Sequence, residues 1–191
     1  MIIINGCSHH IVFTKPLKKE FHEANIYLAE IEYTGYSQSI VVKFTQRYNS
    51  EAHNICAAEG YAPELIAVND VGDWKMVAME FIEGDILQEL GGKPSNSVFH
   101  QIESAIQLLH NHNFVFADLR MNNVMVKKSN QKVMLIDFDW TGRETEDCYP
   151  PFMNHIQVDW PEGVEDDKPL KKEHDLIWLE RIKIGDPGLR K

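Results

Sequence analysis

No stretch of this chain is apolar for long enough to cross a bilayer. Its unbroken apolar runs, residues 1–4 and 40–42 among them, are at most four residues long and fall far short of the ~20 residues that a spanning helix needs. Residues 1–7 also lack the charged flank and the length of a secretion signal, so a soluble, intracellular protein is expected, cytoplasmic with the nucleus as the alternative. Cysteine is scarce. Cys7, Cys56 and Cys148 are spaced neither as metal ligands nor as an even disulfide framework, and reduced thiols are expected. Positive charge is in deficit: 19 Lys and Arg against 29 Asp and Glu give a net charge of −10. That balance argues against a nucleic-acid surface, which needs clustered Lys and Arg to neutralise phosphates. Neither an internal repeat nor a low-complexity tract interrupts the chain. What is present is an ordinary globular balance, 43% hydrophobic and 25% charged. The 191 residues suffice for one domain or for two small lobes sharing a cleft.

The first part of the chain reads as strands. Residues 11–14, 26–33 and 39–44 are rich in β-branched and aromatic side chains, separated by polar or turn material. A short helix is expected over 49–60, opened by a capping Asn49 or Ser50 and closed by Gly60. Residues 65–68 and 75–81 are again strand-like, with a turn signal at 69–73. After Gly84 the pattern changes. Ser95 or Asn96 caps a helix running to Asn111, whose apolar Phe99, Ile102, Ala105, Ile106 and Leu109 recur at three and four. Two short strands, 124–126 and 133–136, follow. A loop rich in Pro, Gly and acids runs from 141 to about 169, and a last helix over 171–184 turns Leu176, Leu179 and Ile182 inward. The seam therefore falls near 82–85, giving a β-rich part, 1–82, and a helical part, 83–191.

Two segments carry chemistry: Phe116-Ala117-Asp118-Leu119-Arg120-Met121-Asn122-Asn123, and Leu135-Ile136-Asp137-Phe138-Asp139. Singly, each acid or amide is the ordinary cap of a turn or strand end. Together, with a hairpin between them, they resemble the catalytic and metal-binding loops of protein kinases, HRDLKxxN followed by DFG. The resemblance implies an α+β, minimal bilobal protein kinase-like fold with a five-stranded antiparallel sheet and a truncated helical lobe. It assigns Asp118 to the acceptor hydroxyl, Arg120 to the transferring phosphate, and Asn123 and Asp137 to Mg2+. Upstream, Val41-Val42-Lys43-Phe44 resembles the VAIK strand, so Lys43 is expected on the α- and β-phosphates of ATP, with Glu51 as its partner and Glu59 as the competing one. A lysine within an apolar strand otherwise needs a buried counter-charge. Met79-Glu80-Phe81-Ile82-Glu83-Gly84 resembles the hinge, with backbone groups of Glu80 and Ile82 at the adenine edge and Met79 at the back of the pocket.

Within the kinases the closer likeness is to atypical ones. His174-Asp175-Leu176-Ile177-Trp178-Leu179-Glu180-Arg181 resembles the DLYVLERA helix of the kinases in the KEOPS complex, which implies that Asp175 bonds the backbone of the catalytic loop. Glu51-Ala52-His53 with Ala62-Pro63 is similar to KEOPS and RIO-type kinases, and residues 149–163 to kinase-like proteins of fungi. Three features depart from the pattern. No glycine stands between the first two strands, where Lys18 or Lys19 either reaches the phosphates or belongs to a solvated turn, the reading we prefer. Phe116 and Ala117 replace His-Arg, which removes the reader of a phosphorylated activation loop. Asp139 replaces glycine, either offering a further oxygen to a metal or marking decay. The chain ends soon after the Asp175 helix, so a partner protein is expected to complete the surface. His100, His110 and His112 are expected to be structural. The expected function is an ATP- and Mg2+-dependent phosphotransferase with a Ser/Thr protein acceptor. The alternatives are a pseudokinase acting as a nucleotide-binding interaction module and a small-molecule kinase of the aminoglycoside phosphotransferase type.

Overall fold

The computed structural model describes residues 1–17, 25–33 and 35–190. The chain opens on a hairpin, β1 (Ile2–Ile4) and β2 (Cys7–His9), turned at Asn5 and Gly6 in the left-handed region, φ 49° and 79°. The strands β3 (Ile11–Pro16), β4 (Ile26–Tyr33) and β5 (Tyr36–Thr45) follow, then helix α1 (Ser50–Ala58), then β6 (Leu65–Val71) and β7 (Trp74–Glu80). These five strands form one antiparallel sheet in the order β3-β4-β5-β7-β6.

Alternation along β5 sets the two faces of this sheet. Ile40 and Val42 are fully buried among Ile2, Ile4, Ile31 and Ala78, under the opening hairpin. Val41 and Lys43 line a cleft on the opposite face. The hairpin is absent from the expectations above, although the Asn-Gly pair is a strong two-residue turn signal.

The second part begins with β8 (Gly84–Ile86) and a one-turn helix α2 (Leu87–Leu90), followed by α3 (Asn96–Asn111), which the Ser95 side chain caps by accepting from the Val98 amide. β9 (Phe114–Val115) leads through a 3-10 turn (Met121–Asn123) into the hairpin β10 (Val124–Lys127) and β11 (Val133–Leu135). β8 joins that hairpin as a third strand. β12 (Gly142–Arg143) pairs with β9, and α4 (Lys172–Ile184) ends at Gly185, whose left-handed φ of 78° closes the helix. The larger core gathers Ile102, Ile106 and Leu109 of α3, the loop residues Phe116, Leu119 and Phe138, and Trp178 of α4. Ala52 and Cys56 of α1 are buried in the same cluster, which ties this helix to the second part of the chain.

The inward stripe of α4 differs from the one expected. Asp175, Trp178, Leu179 and Ile182 are buried, whereas Leu176 is half exposed. The buried stripe includes a carboxylate, so a count of apolar residues alone rotates the helix by one position.

Candidate active site

Lys43 stands on the cleft face of β5, opposite Ile26 of β4 and Val77 of β7. Only 5% of it is exposed. Its Nζ lies 2.8 Å from Asp137 Oδ1 and 2.8 Å from Asp139 Oδ2, across 94 residues of sequence to the former. Burial works against the ammonium, but the two carboxylates outweigh it, and the Lys43 pKa ends above its ordinary value. Asp139 is pulled both ways. Burial and the charge of Asp137 push its pKa up to about 6, against the opposing pull of Lys43 and the Thr45 hydroxyl.

Asp137 follows β11 with φ 74°. Such a conformation costs a non-glycine residue ~1–3 kcal/mol and persists where surrounding contacts enforce it. Here Phe138 enforces it. Its ring stacks on His53 of α1 at 4.7 Å and meets Phe116 edge-on at 5.3 Å. Asp139 is not among the residues with positive φ, so its position does not require the glycine of the DFG pattern.

The loop after β9 is held from below. Asp175 is fully buried; its Oδ2 accepts from the Phe116 amide at 2.8 Å and its Oδ1 from the Ala117 amide at 3.0 Å. His110 Nε2 lies 2.9 Å from the same Oδ2, so this histidine buttresses Asp175 from α3. Ala117, like Asp137, sits in the left-handed region, φ 71°. The turn that follows presents Asp118, whose two oxygens accept from Arg120 Nε at 2.5 Å and Nη2 at 2.7 Å. Asn123 Nδ2 donates to the Asp118 carbonyl at 2.9 Å and to its Oδ2 at 2.8 Å. Arg120 also lies over the Trp160 ring, 5.1 Å from its centroid.

Lys43, Asn123 and Asp137 line one cleft of 580 Å³, together with Met79 and Ile82. Asn123 and Asp137 meet there because Val124 of β10 pairs with Leu135 of β11, and the Ile136 amide donates to the Asn123 carbonyl at 3.0 Å. With its amide nitrogen committed to Asp118, Asn123 has its side-chain oxygen left as a ligand. One amide oxygen beside one carboxylate, next to a cavity sized for a nucleotide, fits a magnesium ion that completes its shell with phosphate and water. Glu80 also lines the cleft, but its amide donates to the Glu64 carbonyl at 2.9 Å, so only its carbonyl is left for an adenine edge. The Ile82 amide makes no backbone hydrogen bond among the described residues. Lys18 and Lys19 lie outside the described residues.

Glu51 is not the partner of Lys43. Both of its oxygens accept from Arg143 Nη2, at 2.9 and 3.1 Å, in β12, four residues beyond Asp139. In the first turn of α1 the side chain is 63% exposed, and the buried face of that helix carries Ala52, His53 and Cys56 instead. His53 entered the sequence reasoning only as part of a resemblance, and its role was not read from the sequence. It lies 2.5 Å from the Tyr48 hydroxyl through Nδ1 and 2.7 Å from the Pro63 carbonyl through Nε2, so a neutral ring serves both contacts. The Ala62-Pro63 pair was visible in the sequence, but only the fold shows that it pins this ring.

A sequence profile of the protein kinase domain matches residues 9–159. The chain belongs to the protein kinase domain family. Among curated proteins, this kinase domain is 27% identical over 135 residues to the probable serine/threonine-protein kinase PknB of Lactococcus lactis, covering 60% of the chain and 21% of that protein. It is 28% identical over 105 residues to the EKC/KEOPS complex subunit bud32 of Dictyostelium discoideum, covering 49% of the chain and 41% of that protein. The matched regions thus span between about a fifth and two fifths of these relatives' lengths. Among solved structures, the PK-1 kinase of Cydia pomonella granulovirus superposes with a TM-score of 0.68 at 14% identity, covering 90% of this chain and 67% of that one. This likeness shows the fold, a minimal bilobal kinase domain.

Burial lowers the His53 pKa to about 4, while the bond to Pro63 pulls weakly the other way. The unfolded chain, with a histidine pKa near 6.5, then binds more protons than the folded one between pH 6.5 and 4. Stability contributed by neutral His53 is complete above pH 6.5 and is lost as pH falls through that window, by roughly 3 kcal/mol in all. Urea unfolding of wild type and His53→Phe across pH 7 to 4 should show the wild type losing that increment relative to the variant. Parallel curves would show that His53 does not titrate this way.

Proposed function

We propose that the chain is an ATP- and Mg2+-dependent phosphotransferase of the protein kinase type with Ser or Thr of a protein as acceptor. Residues 1–82 serve as the nucleotide-binding lobe and residues 83–191 as the catalytic one. One observation carries the reading: Lys43, Asn123 and Asp137, from distant parts of the chain, line one nucleotide-sized cleft, and Asn123 ties that cleft directly to Asp118. Lys43 places its charge where α- and β-phosphates would lie. Met79 and the backbone around Ile82 form the adenine side. Asp118 faces the acceptor hydroxyl and takes its proton as the acceptor oxygen bonds to the γ-phosphorus of ATP. The bond from that phosphorus to the β–γ bridging oxygen breaks and ADP leaves, and Arg120 offers its guanidinium to the transferred group. Asn123 and Asp137 hold the metal, which when bound supplies charge neutralisation and orientation of the phosphates. The name of the Dictyostelium relative is that of a complex subunit, and we extend this to a protein partner for the present chain, inside the cell.

A second reading is favoured by the Asp118–Arg120 contact, in which both carboxylate oxygens are already engaged. In that reading the chain binds nucleotide as an interaction module and does not turn it over. The two diverge in one assay. Mg-ATP should raise the melting temperature by several degrees at saturating ligand, the effect of about 2.7 kcal/mol at a hundredfold excess over Kd. Asp137→Asn should abolish the part of the shift that depends on magnesium. Phosphoryl transfer to the chain itself or to a Ser/Thr protein acceptor then decides for the enzyme. Binding without turnover decides for the module, and the absence of both would sink the nucleotide-site reading.

A further inference from the structure

We propose that Asp139 is the positioning residue that fixes Lys43 in the cleft, in place of the helix carboxylate Glu51. The inference rests on the phosphotransfer reading above and names which carboxylate serves it.

Asp139 Oδ2 lies 2.8 Å from Lys43 Nζ and accepts from Thr45 Oγ1 at 2.7 Å. Thr45 is two residues beyond Lys43 on β5, so both side chains leave the same face of the strand. One carboxylate oxygen straddles the pair. Between Asp137 and Asp139, Phe138 turns the other way, onto His53 and Phe116, and this leaves the two acids together on the lysine side.

Charge explains why two acids are needed. Lys43, Asp137 and Asp139 sum to one negative charge around a buried ammonium. A carboxylate that turns toward a metal no longer serves the lysine fully, and a buried ammonium without a counter-charge is costly. Asp139, tied to Thr45, remains as that counter-charge when Asp137 is engaged elsewhere.

Glu51 cannot readily take over. Helix α1 is fastened at its start by Asn49, whose amide donates to the Phe138 carbonyl at 3.1 Å and whose Nδ2 donates to the Thr141 carbonyl at 3.0 Å. It is fastened at its middle by His53 on Pro63, Tyr48 and Phe138. Turning Glu51 toward Lys43 would break these contacts as well as the pair with Arg143.

The test uses the full chain and two independent readouts. In steady-state kinetics with Mg-ATP, Asp139→Asn is expected to raise KM for ATP by about tenfold, with a smaller change in kcat. Asp139→Glu should recover most of that loss, and Glu51→Ala should change KM less than twofold. Thr45→Val, which removes only the hydroxyl donor, should move KM in the same direction by a smaller factor. In the nucleotide-free chain, acetylation of Lys43 by acetic anhydride, followed by peptide mass spectrometry, should run several-fold faster in Asp139→Asn and Thr45→Val than in wild type or Glu51→Ala. A larger effect of Glu51→Ala than of Asp139→Asn in either readout would overturn the proposal. So would a wild-type acetylation rate in Asp139→Asn. Should the wild type neither bind nor turn over ATP, the phosphotransfer reading fails, while the acetylation rates still decide which acid holds the lysine.

Discussion

Asp175→Ala is expected to remove roughly 3–5 kcal/mol of stability, the scale for deleting one partner of a buried charged network. The fully buried carboxylate accepts from the amides of Phe116 and Ala117 and meets His110 Nε2. Alanine leaves two backbone N–H groups without acceptors in the core, each costing about 1–3 kcal/mol, and it strands the His110 ring as well. It also releases Ala117, whose φ of 71° is held by this contact, so the strand-to-turn geometry that presents Asp118 relaxes. Urea unfolding should show a large fall in midpoint at unchanged slope. Asp175→Asn keeps one acceptor oxygen but aims an NH2 group at a donor, so an intermediate loss is expected. A loss below about 1 kcal/mol for alanine would mean that the loop is held by other contacts.

This network also shows what a linear sequence discloses. The Asp175 role was legible only through the resemblance of its helix to that of the KEOPS kinases, which implies an acid bonded to the backbone of the catalytic loop. The sheet was legible from its own residues: β-branched runs alternate about a single period, and Lys43 breaks the run in a way that demands a counter-charge. What could not be read was which acid answers the demand. Glu51 and Glu59 were the candidates, while Asp137 and Asp139 were read only toward a metal; the two that meet Lys43 are Asp137 and Asp139. The choice depends on the rotation of α1 and on the backbone turn at Asp137, both set by packing of His53 against Phe138. The same packing determines that Glu51 meets Arg143 at the surface, an exposed pair worth at most about 1 kcal/mol. Leu176 was misplaced because apolar count, without Asp175 in the buried face, turns α4 too far. The opening hairpin was missed although Asn5 and Gly6 carry its signature; its strands are three residues each, too short for alternation to register.

Asp118→Asn should lower turnover with Mg-ATP by about 10²–10⁴-fold, the range for loss of a positioned general base, while leaving KM for ATP close to wild type. The split follows from position. Asp118 has no contact with Lys43 and is separated from the cleft by Asn123, so nucleotide binding should survive its loss of charge. The substitution is close to isosteric, but one oxygen becomes a donor. Asp118 accepts from Arg120 at both oxygens and from Asn123 at Oδ2, so an asparagine keeps at most part of this set, and Arg120 is left to its stack on Trp160. Because that rearrangement could itself misplace Arg120, Arg120→Ala is the needed companion. If Asp118 is the base, Asp118→Asn is the more damaging of the two and the double variant loses little beyond it, since groups acting in one step are not additive. A loss of less than tenfold in Asp118→Asn, or equal losses that multiply in the double variant, would remove Asp118 from the proton transfer and leave it as a turn-forming residue.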